Sequence, residues 1–176
     1  MEKLRIVAFT AAMAAMAMLS TPALSMAQET FHANLVGFSE TPAISTAASG
    51  TFQATISADD TSITYELTYD GLEAAVTQSH IHFGQFFVTG GISVFLCQTA
   101  GSPDPSGLAP TCPQSGTVTG TVTAANVVGP AVQGIEAGEF AELLTAIRSG
   151  ISYANVHSAK FPGGEIRGQL EKDGTE

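Results

Sequence analysis

His80 and His82 flank Ile81, and on an extended strand residues i and i+2 project from one face. Turning apolar Ile81 toward a core sends both imidazoles to the opposite, polar face. His157 stands between Val156 and Ser158, so with Val156 in the core it too points away from it. Two histidines from one strand and one from another are the ingredients of a three-histidine site for one copper or zinc ion, for which imidazole is a good ligand. The imidazole must be neutral to bind, so such a site weakens as pH falls through about 6. The spacing supplies only the pair His80 and His82, and the fold has to bring His157 to them. The competing reading is structural, with the three rings hydrogen-bonding to neighbouring strands or loops and locking the sheet.

The remaining reactive residues form no catalytic constellation, and no catalytic residue is assigned. Ser79 precedes His80, but no Gly-x-Ser-x-Gly elbow presents a nucleophile. Glu165 and the acids near residues 139–148 make chance carboxylate pairs in so acidic a chain, and Gly163-Gly164 follows Pro162 as a hairpin turn rather than a phosphate cradle. Arg167 alternates onto the face of Glu165 and Gln169 and is expected to pair with an acid. Cys97 and Cys112 are the only cysteines, lie in one Gly- and Pro-containing stretch and lack Cys-x-x-Cys spacing. They read as a local disulfide rather than a thiolate metal site.

The elements that must position these residues are short strands punctuated by Gly, Pro and Asp. Candidates run over 31–36, 50–57, 62–69, 79–83, 92–96 and 117–122, with Asp59-Asp60 as a hairpin turn and Gly90-Gly91 as a break. Across 139–148 the period changes. Phe140, Leu143, Leu144 and Ile147 recur at i, i+3, i+4 and i+7, one stripe of a short amphipathic helix that Gly150 ends. A final hairpin joins 151–158 to 165–170. This pattern predicts an all-β antiparallel β-sandwich with Greek-key character, of immunoglobulin-like or Cu,Zn-superoxide-dismutase-like type, carrying one helix.

Residues 1–27 have the layout of a signal peptide: Lys3 and Arg5, an apolar run over 6–19, and Ser25-Met26-Ala27 before a cleavage at Gln28. The apolar run is shorter than the roughly 20 residues a spanning helix needs. Residues 28–176 then form one domain, outside the cytoplasm in a periplasm or beyond the cell, where a disulfide persists. The full chain has six Lys and Arg against 16 Asp and Glu, a net charge of −10. That surface disfavours nucleic acid and anionic membranes, and no membrane association is expected after cleavage.

Three ordered motifs carry a family resemblance. Residues 33–42 (Ala-Asn-Leu-Val-Gly-Phe-Ser-Glu-Thr-Pro), His80-Ile81-His82, and Tyr153 to His157 followed by residues 161–170 resemble the chordin-type (CHRD) domain over about 31–170. The resemblance implies an all-β extracellular domain with no general catalytic activity, and it sets His80, His82 and His157 at the family's histidine positions. Phe83 stands where the usual Gly follows His82, and the Cys97–Cys112 segment looks like an elaboration. Copper–zinc superoxide dismutases also carry His-x-His on a β-sandwich strand, but here the bridging histidine and zinc cluster have no counterpart. Together these features favour a non-enzymatic binding or structural module with a copper or zinc site. The alternatives are a copper redox enzyme of dismutase type and an extracytoplasmic protein-recognition domain. Phe83, Phe86 and Phe87 are candidate anchors for the latter, although packing inside the fold is the expected role of all three.

Overall fold

The computed structural model describes residues 28–174, and the leader expected at residues 1–27 lies outside them. Nine strands run in chain order: β1 (Glu29–Val36), β2 (Ser49–Ile56), β3 (Ile63–Asp70), β4 (Val76–Phe83), β5 (Gly91–Cys97), β6 (Gly116–Val122), β7 (Ser152–Ser158), β8 (Ile166–Gln169) and β9 (Glu171–Lys172). One α-helix, α1 (Phe140–Arg148), precedes β7. Every ladder between these strands is antiparallel.

Alternation decides which face is buried. In the β2–β3 hairpin Phe52, Ala54 and Ile56 lie opposite Leu67, Tyr65 and Ile63, and all six are in the core, while the intervening Thr, Gln and Glu face outward. The turn between them is tied by Asp59, whose carboxylate accepts hydrogen bonds from the hydroxyls of Ser57 (2.7 Å) and Thr61 (2.8 Å). The helical stripe Phe140, Leu143, Leu144 and Ile147 enters the same core. A helix of three turns or fewer is marginal alone, so this burial is what holds α1 in place. Arg148 in its last turn adds ion pairs to Glu29 and Asp60, each 2.6 Å.

The strand order is β5-β4-β7-β8-β1-β2-β3-β6, with β9 beside β1. The all-β expectation holds, but instead of two stacked sheets the strands make one continuous sheet that curls into a nearly closed barrel. The reason is β1, which pairs with β2 on one side and with β8 and β9 on the other, joining what would be separate layers. The two ends of the sheet approach each other, and the Tyr65 hydroxyl on β3, the strand beside edge strand β6, donates to the Leu96 carbonyl on edge strand β5 at 2.5 Å. A side chain at position 120 of β6 would meet that phenol, with a Cβ only 2.5 Å from its oxygen, which accounts for Gly120. Cys97 at the end of β5 is disulfide-bonded to Cys112, as expected. Within the bridged segment Asp104 accepts the backbone N–H groups of Ser106, Leu108 and Ala109 at 2.9 to 3.1 Å. Among the described residues no helix is long and apolar enough to cross a membrane.

Candidate metal centre

The centre lies on adjacent strands β4, β7 and β8, on the face turned away from the main core. Ile81, Ala154, Val156 and Ile166 point into the core, each fully buried. Strand alternation therefore sends His80 and His82 of β4, Tyr153, Asn155 and His157 of β7, and Arg167 of β8 the other way. The predicted facing of the three histidines is correct. Their surroundings are not the open polar surface that the alternation suggested: His80 is 0% exposed, His82 6% and His157 5%. Glu40 after β1, residues 84–90 between β4 and β5, and residues 159–165 between β7 and β8 supply the cover.

Register explains how His157 reaches the pair. His80 lies directly opposite Asn155 and His82 opposite Tyr153, so His157 is the diagonal neighbour of His80, within reach of a long side chain. His80 Nδ1 and His157 Nε2 are 3.1 Å apart. One ring nitrogen from each of the three histidines falls within 4.8 Å of the others. On the far side β4 slips register against β5 between Ser79 and His80 and again between Ile81 and His82. These irregularities re-aim side chains next to the cluster, a common use of bulges.

Backbone carbonyls fix the tautomers of two rings. His82 Nδ1–H donates to the Gly90 carbonyl at 2.9 Å, and His157 Nδ1–H donates to the Pro162 carbonyl at 2.9 Å. In the neutral ring each then carries its lone pair on Nε2. His82 Nε2 and His80 Nε2 have no hydrogen-bond partner, although both are buried. Burial first, then the neighbouring His157 and His82, pushes the His80 pKa down to about 2. Burial likewise lowers His82 to about 4 against the pull of the Gly90 carbonyl, and it lowers His157. All three are neutral at ordinary pH, the form that ligates metal.

Around the histidines, Phe95 of β5 meets the His80 ring edge-on with centroids 4.3 Å apart, and Tyr153 stacks on His82. The expected acid partner of Arg167 is replaced by an aromatic one. Its guanidinium lies 3.4 Å from the centre of the Tyr153 ring and donates to the Gln85 carbonyl at 3.0 Å, and it makes no ion pair among the described residues. Stacking and the carbonyl bond suit a planar guanidinium in a site too closed for a hydrated pair. Glu40, buried nearby, is pushed up to about 7 by desolvation against the pull of Arg167. Asn155 borders His80, His82 and Glu40, and its Oδ1 is unpartnered.

Tyr153 and Asn155 could have been found by extending the period-two pattern back from His157, since 153, 155 and 157 share a face. Glu40, Gly90 and Pro162 reach the centre through loops, and no local pattern announces that. The packing expected of Phe86 and Phe87 is overturned: they are 54% and 61% exposed and contact each other edge-on, whereas Phe83 does pack against the core.

Neither a curated protein nor a solved structure matches this sequence. A family model described as the CHRD domain matches residues 31–170, a span holding all three histidines, the disulfide and every strand from β2 to β8. The chain belongs to the CHRD domain family.

Proposed function

We propose that this CHRD domain is an exported binding or structural module in which His80, His82 and His157 hold one copper or zinc ion. The observation that carries the reading is the pair of buried, unpartnered Nε2 atoms on His80 and His82. A set of rings serving only to lock the sheet would engage its nitrogens in hydrogen bonds, because a buried polar atom without a partner costs about 1–3 kcal/mol. A metal ion removes that cost. One ring nitrogen from each of the three histidines lies within 4.8 Å of the others, so small shifts of the rings bring three donors to one ion at about 2.0–2.1 Å. The carbonyl partners of His82 and His157 are the usual outer contacts that orient ligating imidazoles.

The test is metal content of protein purified after growth with copper, zinc and nickel, beside His82→Ala. One copper or zinc per chain in the parent and none in the variant supports the reading. No stoichiometric metal in either, with melting unchanged on metal addition, overturns it. Export rests on the leader and agrees with the disulfide; N-terminal sequencing of the mature protein is expected to begin at Gln28.

Protein recognition is a second reading, favoured by the exposed Phe86, Phe87 and Val88 on the loop that carries Gly90. Binding to an extracytoplasmic protein would be lost in Phe86→Ser/Phe87→Ser with the fold intact, and capture of the same protein by both forms would dismiss it.

A further inference from the structure

The geometry points to monovalent copper, Cu(I), rather than Cu(II) or Zn(II), as the ion this centre holds most tightly. The inference rests on the proposed three-histidine site and concerns its charge. Among the described residues the grouped ligands are three neutral imidazoles, and no carboxylate or thiolate joins them. A bound ion therefore keeps its full charge in a buried place. The electrostatic cost of taking an ion out of water grows with the square of its charge, so a divalent ion suffers far more from such a site than a monovalent one.

The walls sharpen the difference. Phe95 and Tyr153 pack their rings on His80 and His82, and Asn155 Oδ1, the orphaned oxygen bordering the two histidines, carries no charge to set against a divalent ion. The nearest fixed cation, Arg167, lies behind Tyr153 and acts on His82 with a repulsive field toward positive charge. Glu40, a buried carboxyl within the pull of Arg167, is linked to the histidines by way of Asn155. It is not among the groups placed to ligate an ion. Copper(I) accepts three nitrogen ligands without a fourth, whereas zinc sites are almost always completed to four.

The experiment is a pair of competition titrations on the purified full mature protein, with bicinchoninate for Cu(I) under anaerobic conditions and with glycine for Cu(II), and a third with Zn(II). Cu(I) is expected to bind at least about tenfold more tightly than either divalent ion, and X-ray absorption of the Cu(I) form is expected to show three nitrogen donors. Cu(II) or Zn(II) binding as tightly as Cu(I) overturns this inference and leaves the metal site standing. Binding of none of the three overturns both. Asn155→Asp, which sets a carboxylate beside the rings at constant size, is expected to lower the Cu(I) preference about tenfold or more. An unchanged preference in a folded variant defeats the charge argument, and the parent titrations decide alone if the variant does not fold.

Discussion

His82 and Tyr153 lie face to face, with ring centroids 4.7 Å apart and planes only 2° from parallel. The two residues are directly opposed on β4 and β7, and the far face of the tyrosine is covered by Arg167. His82 is thereby clamped by a ring on one side and by the Gly90 carbonyl at Nδ1. Tyr153→Leu removes the flat surface and is expected to weaken metal binding about tenfold, the scale typical of outer contacts to a ligating histidine. Tyr153→Phe keeps the stack and loses only the hydroxyl that accepts the Gly90 N–H at 3.2 Å, so its loss is expected to be smaller. Equal losses in the two variants, measured by metal titration, would deny the stack a role.

Gly90 is held by contact rather than by conformation. A Cβ there would lie 1.8 Å from the Phe83 carbonyl oxygen, so Gly90→Ala must shift the loop and carry the Gly90 carbonyl away from His82. The expected result is a stability loss of about 1–3 kcal/mol by denaturant unfolding, with weaker metal binding at a temperature where the variant is still folded. Unchanged binding would mean that the carbonyl does not orient His82.

The loop tip tells the opposite story. Phe86 and Phe87 are exposed, and replacing both by Ser is expected to change stability by less than about 0.5 kcal/mol. Phe83→Ser, three residues earlier and packed on the core, is expected to be clearly destabilising. Thermal melting of the two variants side by side checks the contrast.

That contrast also marks what could be read in the sequence. Strands with one apolar face, such as 63–69, announce themselves because every second side chain meets the core, and the helical stripe over 140–147 does so for the same reason. The common facing of His80, His82 and His157 follows from the same period. Their burial does not, because Gly90 and Pro162 fold back onto His82 and His157 from the loops that follow their strands, and Glu40 comes from a distant part of the chain. Phe86 and Phe87 have an apolar composition that suits a core, yet the tight approach of Gly90 to Phe83 leaves the tip between them no core to enter. Barrel closure likewise hangs on one strand pairing on both sides, which periodicity within a strand cannot express.

The disulfide ties β5 to the segment leading into β6, its ends 15 positions apart in sequence. Constraint of the unfolded chain gives it about 3 kcal/mol of stabilisation. Cys97→Ser/Cys112→Ser, or reduction of the parent, is expected to lower the unfolding free energy by that order. Both sulfurs are buried in the core, so the loss is expected to include some packing as well. A melting temperature insensitive to reductant, with reduction verified by thiol titration, would contradict this.

Acid should destabilise the metal-free protein through the same three histidines. In the unfolded chain each takes up a proton near pH 6.5, whereas in the folded protein burial holds His80 down to about 2 and His82 to about 4 and lowers His157. Between these limits the unfolded state binds more protons, so stability falls as pH falls below about 6.5. Glu40 opposes the trend, because its folded pKa is raised to about 7. Through the window from about 7 down to 4.5 the folded state gains the proton first, and acid stabilises that one group. Three histidines against one carboxyl leave a net decline below pH 6.5, and below about 4.5 Glu40 no longer offsets the lowered histidines. Melting temperatures from pH 7.5 to 4 are expected to follow this course. His80→Asn, which keeps a polar side chain but cannot titrate, is expected to flatten the decline. A parent curve that rises toward pH 5, or a slope unchanged by His80→Asn, would show that the histidines are not the groups that acid attacks.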